Sequence, residues 1–139
     1  MQARGLIDTG AIVALVDADD SWHVRCREVF RALRLPLATT AAVLAEVFHL
    51  LDTHPREVDA AWRFIRSGAV TLLPITDADA ADLDRLMKQY HDRPMDFADA
   101  TLVCLAERES LSTIFTIDHN DFETYRIGGR SRFRIIPPR

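Results

Sequence analysis

The feature that most constrains this chain is its first apolar run, which ends on a single carboxylate. Residues 5–7 lead to Asp8, Thr9 and Gly10 interrupt the run, and a second apolar stretch follows over 11–15. This pattern predicts a short buried strand, a tight turn and a helix. Asp8 then lies at the carboxyl end of the strand, where open α/β sheets place their binding sites. Any later acidic residue that reaches this strand end is a candidate partner.

The composition indicates a globular domain with a sizeable core. The chain has 139 residues, of which 48% are hydrophobic and 27% charged, so we expect one domain over residues 1–139. Cys26 and Cys104 lie far apart in apolar helical patterns, which indicates buried free thiols and a reducing cytoplasm. The N-terminus lacks the features of a signal peptide, and no apolar run approaches the roughly 18 residues of a membrane span.

The charge balance leaves the partner open. The net charge is −4, from 21 acidic and 17 basic side chains, and the distribution of charge matters more for nucleic-acid binding than this total. Four arginines crowd the last ten residues: Arg130, Arg132, Arg134 and Arg139. Arginine presents a planar fork to phosphate, but a solvated basic tail explains the same cluster. Both interpretations stay open.

Strand and helix patterns alternate along the chain. Helices are predicted after Asp8, from about Trp22 to Leu33, from Thr40 to about Leu51, from Pro55 to Gly68, over 83–90 and from about Asp96 to Arg108. Further strands are predicted over 37–39, 69–73, 111–117 and 133–136. Thr76 and Asp79 resemble a capping box. This alternation predicts an α/β fold with a parallel sheet covered by helices on both faces.

Glu46 stands on the apolar stripe of the helix that starts at Thr40. A buried carboxylate is costly unless it is paired or binds a cation, so Glu46 is either a ligand or a stripe-edge residue that reaches water. Glu46 and His49 also form half of a di-iron motif. The sequence has no second Glu-x-x-His, which excludes that site.

Three aspartates extend the acidic set. Asp96 and Asp99 share one face at the start of a helix; Asp96 suits an N-cap, whereas Asp99 lies where the apolar stripe has begun. Asp118 ends an apolar strand as Asp8 does, so both emerge at one sheet edge if the strands are neighbours. Asn120 and Asp121 follow shortly after Asp118, and their role as turn formers explains them structurally.

Together these acids predict a site for a hard cation. Oxygen ligands without a Cys/His cluster favour Mg²⁺ or Mn²⁺. Two such ions about 4 Å apart can orient an attacking water and stabilise a leaving oxygen in phosphodiester cleavage.

The ordered acids resemble the PIN domain family, and the segment from Met95 to Phe122 is similar in particular to bacterial PIN proteins of the VapC toxin type. The resemblance spans essentially the whole chain. It implies a five-stranded parallel sheet between helices, with a Mg²⁺- or Mn²⁺-dependent endoribonuclease site at the strand ends. It implies catalytic and metal-binding roles for Asp8, Glu46, Asp99 and Asp118, with Asp96 as an additional acid. Thr9, Thr116 and Asn120 are the expected substrate-contacting or supporting residues.

The resemblance also implies an RNA substrate, a homodimer and a cognate antitoxin protein. The alternatives are a free-standing RNA-processing nuclease and a non-catalytic module of the same fold that binds RNA or protein. The helices that carry Trp22 and Trp62 are the candidate docking surface, although core packing is the alternative for both side chains.

Two unrelated activities are disfavoured. Asp8-Thr9-Gly10 is also the signature of aspartic proteases, but these need a second aspartate in a mostly β architecture, and no second Asp-Thr-Gly or Asp-Ser-Gly occurs. A phosphoacceptor domain would need paired acids near its start and a late lysine, whereas Lys88 is the only lysine.

Overall fold

The computed structural model describes residues 2–139. Strands and helices alternate along it. The strands predicted over 5–7 and 37–39 have the predicted length, whereas those predicted over 69–73, 111–117 and 133–136 are shorter. The strands are β1 (Gly5–Ile7), β2 (Leu37–Thr39), β3 (Val70–Leu72), β4 (Thr113–Phe115), β5 (Arg126–Ile127), β6 (Ser131–Arg132) and β7 (Arg134–Ile136). The helices are α1 (Thr9–Val16), α2 (His23–Arg31), α3 (Ala41–Leu50), α4 (Pro55–Arg66), α5 (Ala80–Gln89), α6 (Phe97–Glu109) and α7 (His119–Thr124), with a 3₁₀ turn, Asp77–Asp79, before α5.

Five of the strands form one parallel sheet in the order β3-β2-β1-β4-β7. At its centre, Leu6 and Ile7 of β1 lie opposite Ile114 and Phe115 of β4. All four side chains are fully buried, as expected for a strand pair covered on both faces. The chain runs from β1 to β3 in one direction and then crosses back to β4, so right-handed connections place helices on both faces. The predicted α/β fold with five parallel strands is confirmed.

Polar side chains at the helix starts bind backbone N–H groups that have no partner inside the helix. Asp8 caps α1, Thr40 caps α3 and Asp96 caps α6. Thr76 and Asp79 form the predicted capping box before α5. Two of the acids singled out from the sequence, Asp8 and Asp96, therefore also stabilise helix ends.

Helix α6 runs through the interior of the molecule. Its residues 98–106 are all buried, and it packs against α3 and α5. The buried stretch includes Asp99, which is only 8% exposed. The helix therefore carries a carboxylate into the protein, as its position on the apolar stripe indicates.

The segment after β4 departs from its prediction. The turn expected at Asn120 and Asp121 is wrong, because both residues lie in α7. Phe122 in this helix and Tyr125 just after it are fully buried, and this packing stabilises a helix too short to be stable alone. β5 and β6 then form an unpredicted antiparallel hairpin, whose turn contains Gly128–Gly129 at positive φ.

The two aromatic residues proposed for docking differ in their surroundings. Trp22, just before α2, is partly buried, and its ring centroid lies 5.6 Å from that of His119. Trp62 on α4 is 48% exposed and stacks on Phe48 with a centroid separation of 4.7 Å. Packing against the body of the protein accounts for Trp22, whereas Trp62 remains at the surface.

Both cysteines, Cys26 and Cys104, are buried free thiols, as predicted. Burial raises the pKa of each thiol to about 11, so neither is a thiolate at neutral pH. Within residues 2–139, none of the helices combines the length and the apolar character that a bilayer crossing requires.

Candidate active site

The ends of β1 and β4 lie side by side and bring two aspartates to one edge of the sheet. The backbone N–H of Asp8 donates to the carbonyl of Phe115 at 3.0 Å. Thr116 Oγ1 donates to Asp8 Oδ2 at 3.0 Å and accepts from the backbone N–H of Asp118 at 2.9 Å. Thr116 therefore links the two strand-end aspartates, at the edge where parallel α/β sheets carry their sites.

A cavity of about 440 Å³ opens at this edge. Among the described residues that line it, six are acidic and none is a basic residue, a His or a Cys. The lining residues are Asp8, Thr9, Gly10, Glu46, Pro94, Asp96, Asp99, Ile117, Asp118 and Asp121. The structure thus brings together all five acids singled out from the sequence, and adds a sixth.

The sixth acid, Asp121, is not predicted as a site residue because the sequence pattern of its segment indicates a turn. Asp121 follows Asp118 by three residues, a spacing that places two side chains on one face of a helix. The sequence does place an aromatic residue here, Phe122, but its complete burial is visible only in the folded structure.

Two predicted supporting residues lie outside the cavity lining. Thr116 is fully buried and reaches the site only through its hydrogen bonds to Asp8 and Asp118. Asn120 is exposed, and its side-chain carbonyl accepts a hydrogen bond from the guanidinium of Arg139. Thr116 is thus placed to orient Asp8, while Asn120 contacts the C-terminal residue.

Asp8 is the most enclosed of the acids and carries an unusual charge state. It is 6% exposed, and burial raises its pKa from 3.8 to about 7. Hydrogen bonds from Thr9 and Thr116 oppose this rise, whereas the charges of Asp118 and Glu46 add to it. A carboxyl group held half-protonated near neutral pH is typical of functional sites.

Asp99 shows the same behaviour on the facing helix. Burial raises its pKa from 3.8 to about 8, and the charge of Asp8 contributes to the rise. Tyr125 donates a 2.7 Å hydrogen bond to Asp99 Oδ2, which opposes the rise by stabilising the carboxylate. Two buried carboxyl groups therefore titrate close to neutral pH inside one cavity.

The remaining acids lie at the rim. Burial and the charge of Asp96 raise the pKa of Glu46. Burial, with the neighbouring Asp118, raises the pKa of Asp121 to about 6. Asp96 itself accepts from the backbone N–H of Asp99 at 2.8 Å as the cap of α6. The rim thus adds negative charge above the two buried carboxyl groups.

Thr9 contributes a hydroxyl that lacks a protein partner. Its Oγ1 is buried and forms no hydrogen bond within residues 2–139, although an unpaired buried polar group costs roughly 1–3 kcal/mol. The adjacent Gly10 allows the backbone of α1 to lie close to Ile117, because a Cβ at Gly10 would lie 2.9 Å from Cγ1 of Ile117. This corner of the cavity has the features of a binding site for a ligand that the hydroxyl contacts.

The donor set fits a hard divalent cation. Carboxylate and hydroxyl oxygens are the ligands that Mg²⁺ and Mn²⁺ prefer. A positive charge would stabilise the ionised forms of Asp8 and Asp99, which burial and the neighbouring carboxylates disfavour. Among residues 2–139, however, no three His, Cys, Asp or Glu side chains are already grouped as a chelate. The acids line a cavity and would have to close around an ion.

Residues 5–127 match the family model described as PIN domain. The chain belongs to the PIN domain family. The matched range includes every residue that lines the acidic cavity, and the resemblance drawn from the sequence is confirmed. Residues 128–139 lie beyond the matched PIN domain range, yet they supply β7, the strand that completes one edge of the sheet.

Two proteins of Mycobacterium tuberculosis are similar to this chain, one in sequence and one in fold. Ribonuclease VapC26 of Mycobacterium tuberculosis is 32% identical over 135 residues, which cover 95% of this chain and 99% of that protein. The crystal structure of Mycobacterium tuberculosis VapC20, described as a Sarcin-Ricin loop cleaving toxin, superposes with a TM-score of 0.73 at 21% identity. That match covers 83% of this chain and 90% of VapC20, and it shows the fold.

Proposed function

We propose that this PIN domain protein is a divalent-metal-dependent endoribonuclease and the toxin of a toxin–antitoxin pair. The observation that carries the proposal is the acidic cavity, in which six carboxyl groups converge and none of the described lining residues is basic. The similarity to Ribonuclease VapC26 over nearly the whole chain supports nuclease activity as the chemistry of this cavity.

The proposed ligands of Mg²⁺ or Mn²⁺ are Asp8, Glu46, Asp99 and Asp118, with Asp96 as a further acid. A divalent ion bound there would supply a Lewis acid that activates water and neutralises phosphate charge. The unpaired Oγ1 of Thr9 supports a role for this hydroxyl in binding a water or a substrate oxygen beside these acids.

The protein's own groups prepare the cavity for this role. Thr9 N–H and Thr116 Oγ1 fix the two oxygens of Asp8, at 2.7 and 3.0 Å. Tyr125 fixes Oδ2 of Asp99. Asp8 and Asp99 must release their protons before they can bind a cation. The acidic cavity repels a polyanion until a cation is bound. RNA binding at this edge is therefore expected to require the divalent ion.

The test is RNA cleavage by the purified protein in Mg²⁺, in Mn²⁺ and in EDTA. Cleavage should require a divalent ion, and Asp8→Asn should abolish it, because an amide oxygen is neutral and a poorer ligand. Asp59→Asn is the matched control, since Asp59 is exposed on α4, outside the cavity lining. Cleavage by Asp8→Asn at the wild-type rate would refute the assignment.

We also propose an antitoxin partner, a homodimer and a cytoplasmic location. Trp62 is the surface residue that supports a protein contact, because it is large, apolar and 48% exposed. Expression with its native operon neighbours should recover a complex and abolish toxicity to the host. A protein that is always recovered alone and is harmless to its host would favour the alternative, a free-standing RNA-processing enzyme.

A further inference from the structure

A second cleft lies at the opposite edge of the sheet, where the strands begin. Its volume is about 400 Å³. Of the residues in the range 2–139 that line it, three are arginines and none is acidic. The lining residues are Arg4, Ala32, Leu33, Arg34, Leu37, Thr113, Arg134 and Ile136. This arginine cleft is therefore the electrostatic opposite of the acidic cavity.

The topology brings the three arginines together from distant parts of the sequence. Arg4 directly precedes β1, Arg34 lies just ahead of β2, and Arg134 is the first residue of β7. The strands β2, β1, β4 and β7 are consecutive neighbours in the parallel sheet, so their starting ends share one edge. Backbone hydrogen bonds fix that edge, with Arg4 N–H donating to Pro36 at 2.9 Å.

The guanidinium groups of the cleft bind no other group in the described residues. Within residues 2–139, none of the three takes part in an ion pair or a side-chain hydrogen bond. Other arginines behave differently: Arg108 binds Asp79 at 2.7 Å. All three cleft arginines are exposed, so their donors face solvent. Like charges gathered without a counter-charge favour an anionic ligand.

We propose that the arginine cleft binds phosphate groups of an RNA chain that also reaches the acidic cavity. This inference rests on the proposed function. Arginine forks match phosphate oxygens in pairs, and the apolar side chains of Leu33, Leu37 and Ile136 offer a surface for a ribose or a base. Because the acidic edge repels RNA, a localised basic site gives the chain a surface that attracts it despite a net charge of −4.

The spacing of the two sites sets a length requirement. Arg4 and Asp8 are four residues apart along β1, which corresponds to about 13 Å in an extended strand. An RNA must pass around the molecule to occupy both ends of this strand. A long RNA therefore gains from the cleft, whereas an oligonucleotide of a few residues does not.

The experiment measures binding of a labelled long RNA in EDTA over a series of salt concentrations. The cleft variant is R4Q/R34Q/R134Q. The matched control is R56Q/R63Q/R66Q, which removes the same charge from exposed α4 arginines without ion pairs in the described residues. Each phosphate contact contributes about 0.7 to the slope of log K against log salt for a single strand. In the cleft variant the magnitude of this slope should fall by about 2, because three phosphate contacts are lost. In the control the slope should stay at the wild-type value.

Several outcomes decide the proposal. Equal slopes for the two variants would overturn it, because total charge alone would then govern binding. Tight binding of adenosine monophosphate to the cleft, as strong as that of the long RNA, would also overturn it in favour of a free nucleotide. Melting temperatures of all variants check that they fold. The single variant Arg34→Gln, in a loop, should reduce the slope of log K against log salt by about 0.7. Cleavage of a short oligonucleotide should be unaffected in the cleft variant, and its absence in wild type would instead refute the proposed function.

Discussion

The hydroxyl of Tyr125 donates a 2.7 Å hydrogen bond to Oδ2 of Asp99, across the interface between α6 and the end of α7. Tyr125 is fully buried, and burial together with the Asp99 carboxyl group raises the pKa of its hydroxyl far above the ordinary value. The hydroxyl therefore stays protonated, and able to donate, well above neutral pH. It holds one oxygen of Asp99 in place while the acid gains or loses its proton.

Tyr125→Phe removes this donor and keeps the ring, which packs edge-on against Tyr90 and Phe122. We expect a stability loss of about 1 kcal/mol. We expect a larger effect on cleavage, roughly 10- to 100-fold, since partners that orient ligand carboxylates have effects of this size. Melting curves and cleavage rates in Mn²⁺ measure the two effects separately.

Tyr90→Phe is the matched control for that substitution. The Tyr90 hydroxyl accepts from the backbone N–H of Arg126 at 2.9 Å and does not reach Asp99, so its loss should destabilise the protein while cleavage is largely retained. If both variants lose cleavage in proportion to stability, Tyr125 is a packing residue and does not position Asp99.

Thr9→Val tests the unpaired hydroxyl. Valine preserves the shape of threonine, so removing a buried oxygen without a partner should raise stability in EDTA by about 1 kcal/mol. The gain in melting temperature on adding Mn²⁺ should shrink if the hydroxyl contacts the ion or its water. Both quantities come from thermal melts with and without Mn²⁺.

The control for this substitution is Thr39→Val. Thr39 Oγ1 donates to the carbonyl of Ile7 at 3.0 Å, so its removal should lower stability by about 1 kcal/mol and leave the Mn²⁺ response intact. A stability loss in Thr9→Val equal to that in Thr39→Val would mean that the Thr9 hydroxyl is satisfied in solution.

The acidic edge could be predicted because its signals are local. An apolar run that ends on Asp8 or Asp118 places each acid at a strand end. Parallel pairing of β1 with β4 then brings both acids to the same edge of the sheet. Asp99 stands out because it interrupts the apolar stripe of α6, a helix that is buried over 98–106. Each of these inferences needs only periodicity and the rule that parallel strands end at one edge.

Other parts of the site depend on tertiary contacts that no local pattern records. Asp121 enters the cavity because α7 forms, and α7 forms because Phe122 packs into the core. The partnership of Tyr125 with Asp99 joins residues 26 positions apart. The arginine cleft requires the strand order, since Arg4 and Arg134 are at opposite ends of the sequence and meet only in the folded sheet.

Stability without divalent ions should fall as pH rises through neutrality. The pKa of Asp8 is raised to about 7 and that of Asp99 to about 8, each from 3.8, so the folded state binds protons more tightly than the unfolded state. Their destabilising effect is absent below about pH 4, grows as pH rises and is complete above about pH 8. Its scale is on the order of 4 kcal/mol for Asp8 alone.

Melting temperatures in EDTA between pH 5 and pH 8 check this expectation. They should decline across the range, and Mn²⁺ should remove most of the decline, because an ion that binds only the folded state stabilises it. A melting temperature that rises steadily from pH 5 to pH 8 in EDTA would show that the two carboxyl groups are not destabilised by burial.

Asp99→Asn isolates one acid of this pair. Asparagine has nearly the same size and its carbonyl oxygen can still accept from Tyr125, but it has no charge to bury beside Asp8. At pH 8 in EDTA we expect the variant to melt several degrees above wild type, at about 3 °C for each kcal/mol of charge burial and repulsion removed. It should gain less from Mn²⁺ than wild type does and should fail to cleave RNA, a trade of stability for function that is common at active sites. Asp59→Asn, on the exposed face of α4, should match wild type in all three measurements. If Asp99→Asn instead melts below wild type in EDTA and responds equally to Mn²⁺, Asp99 stabilises the fold and lies outside the metal site.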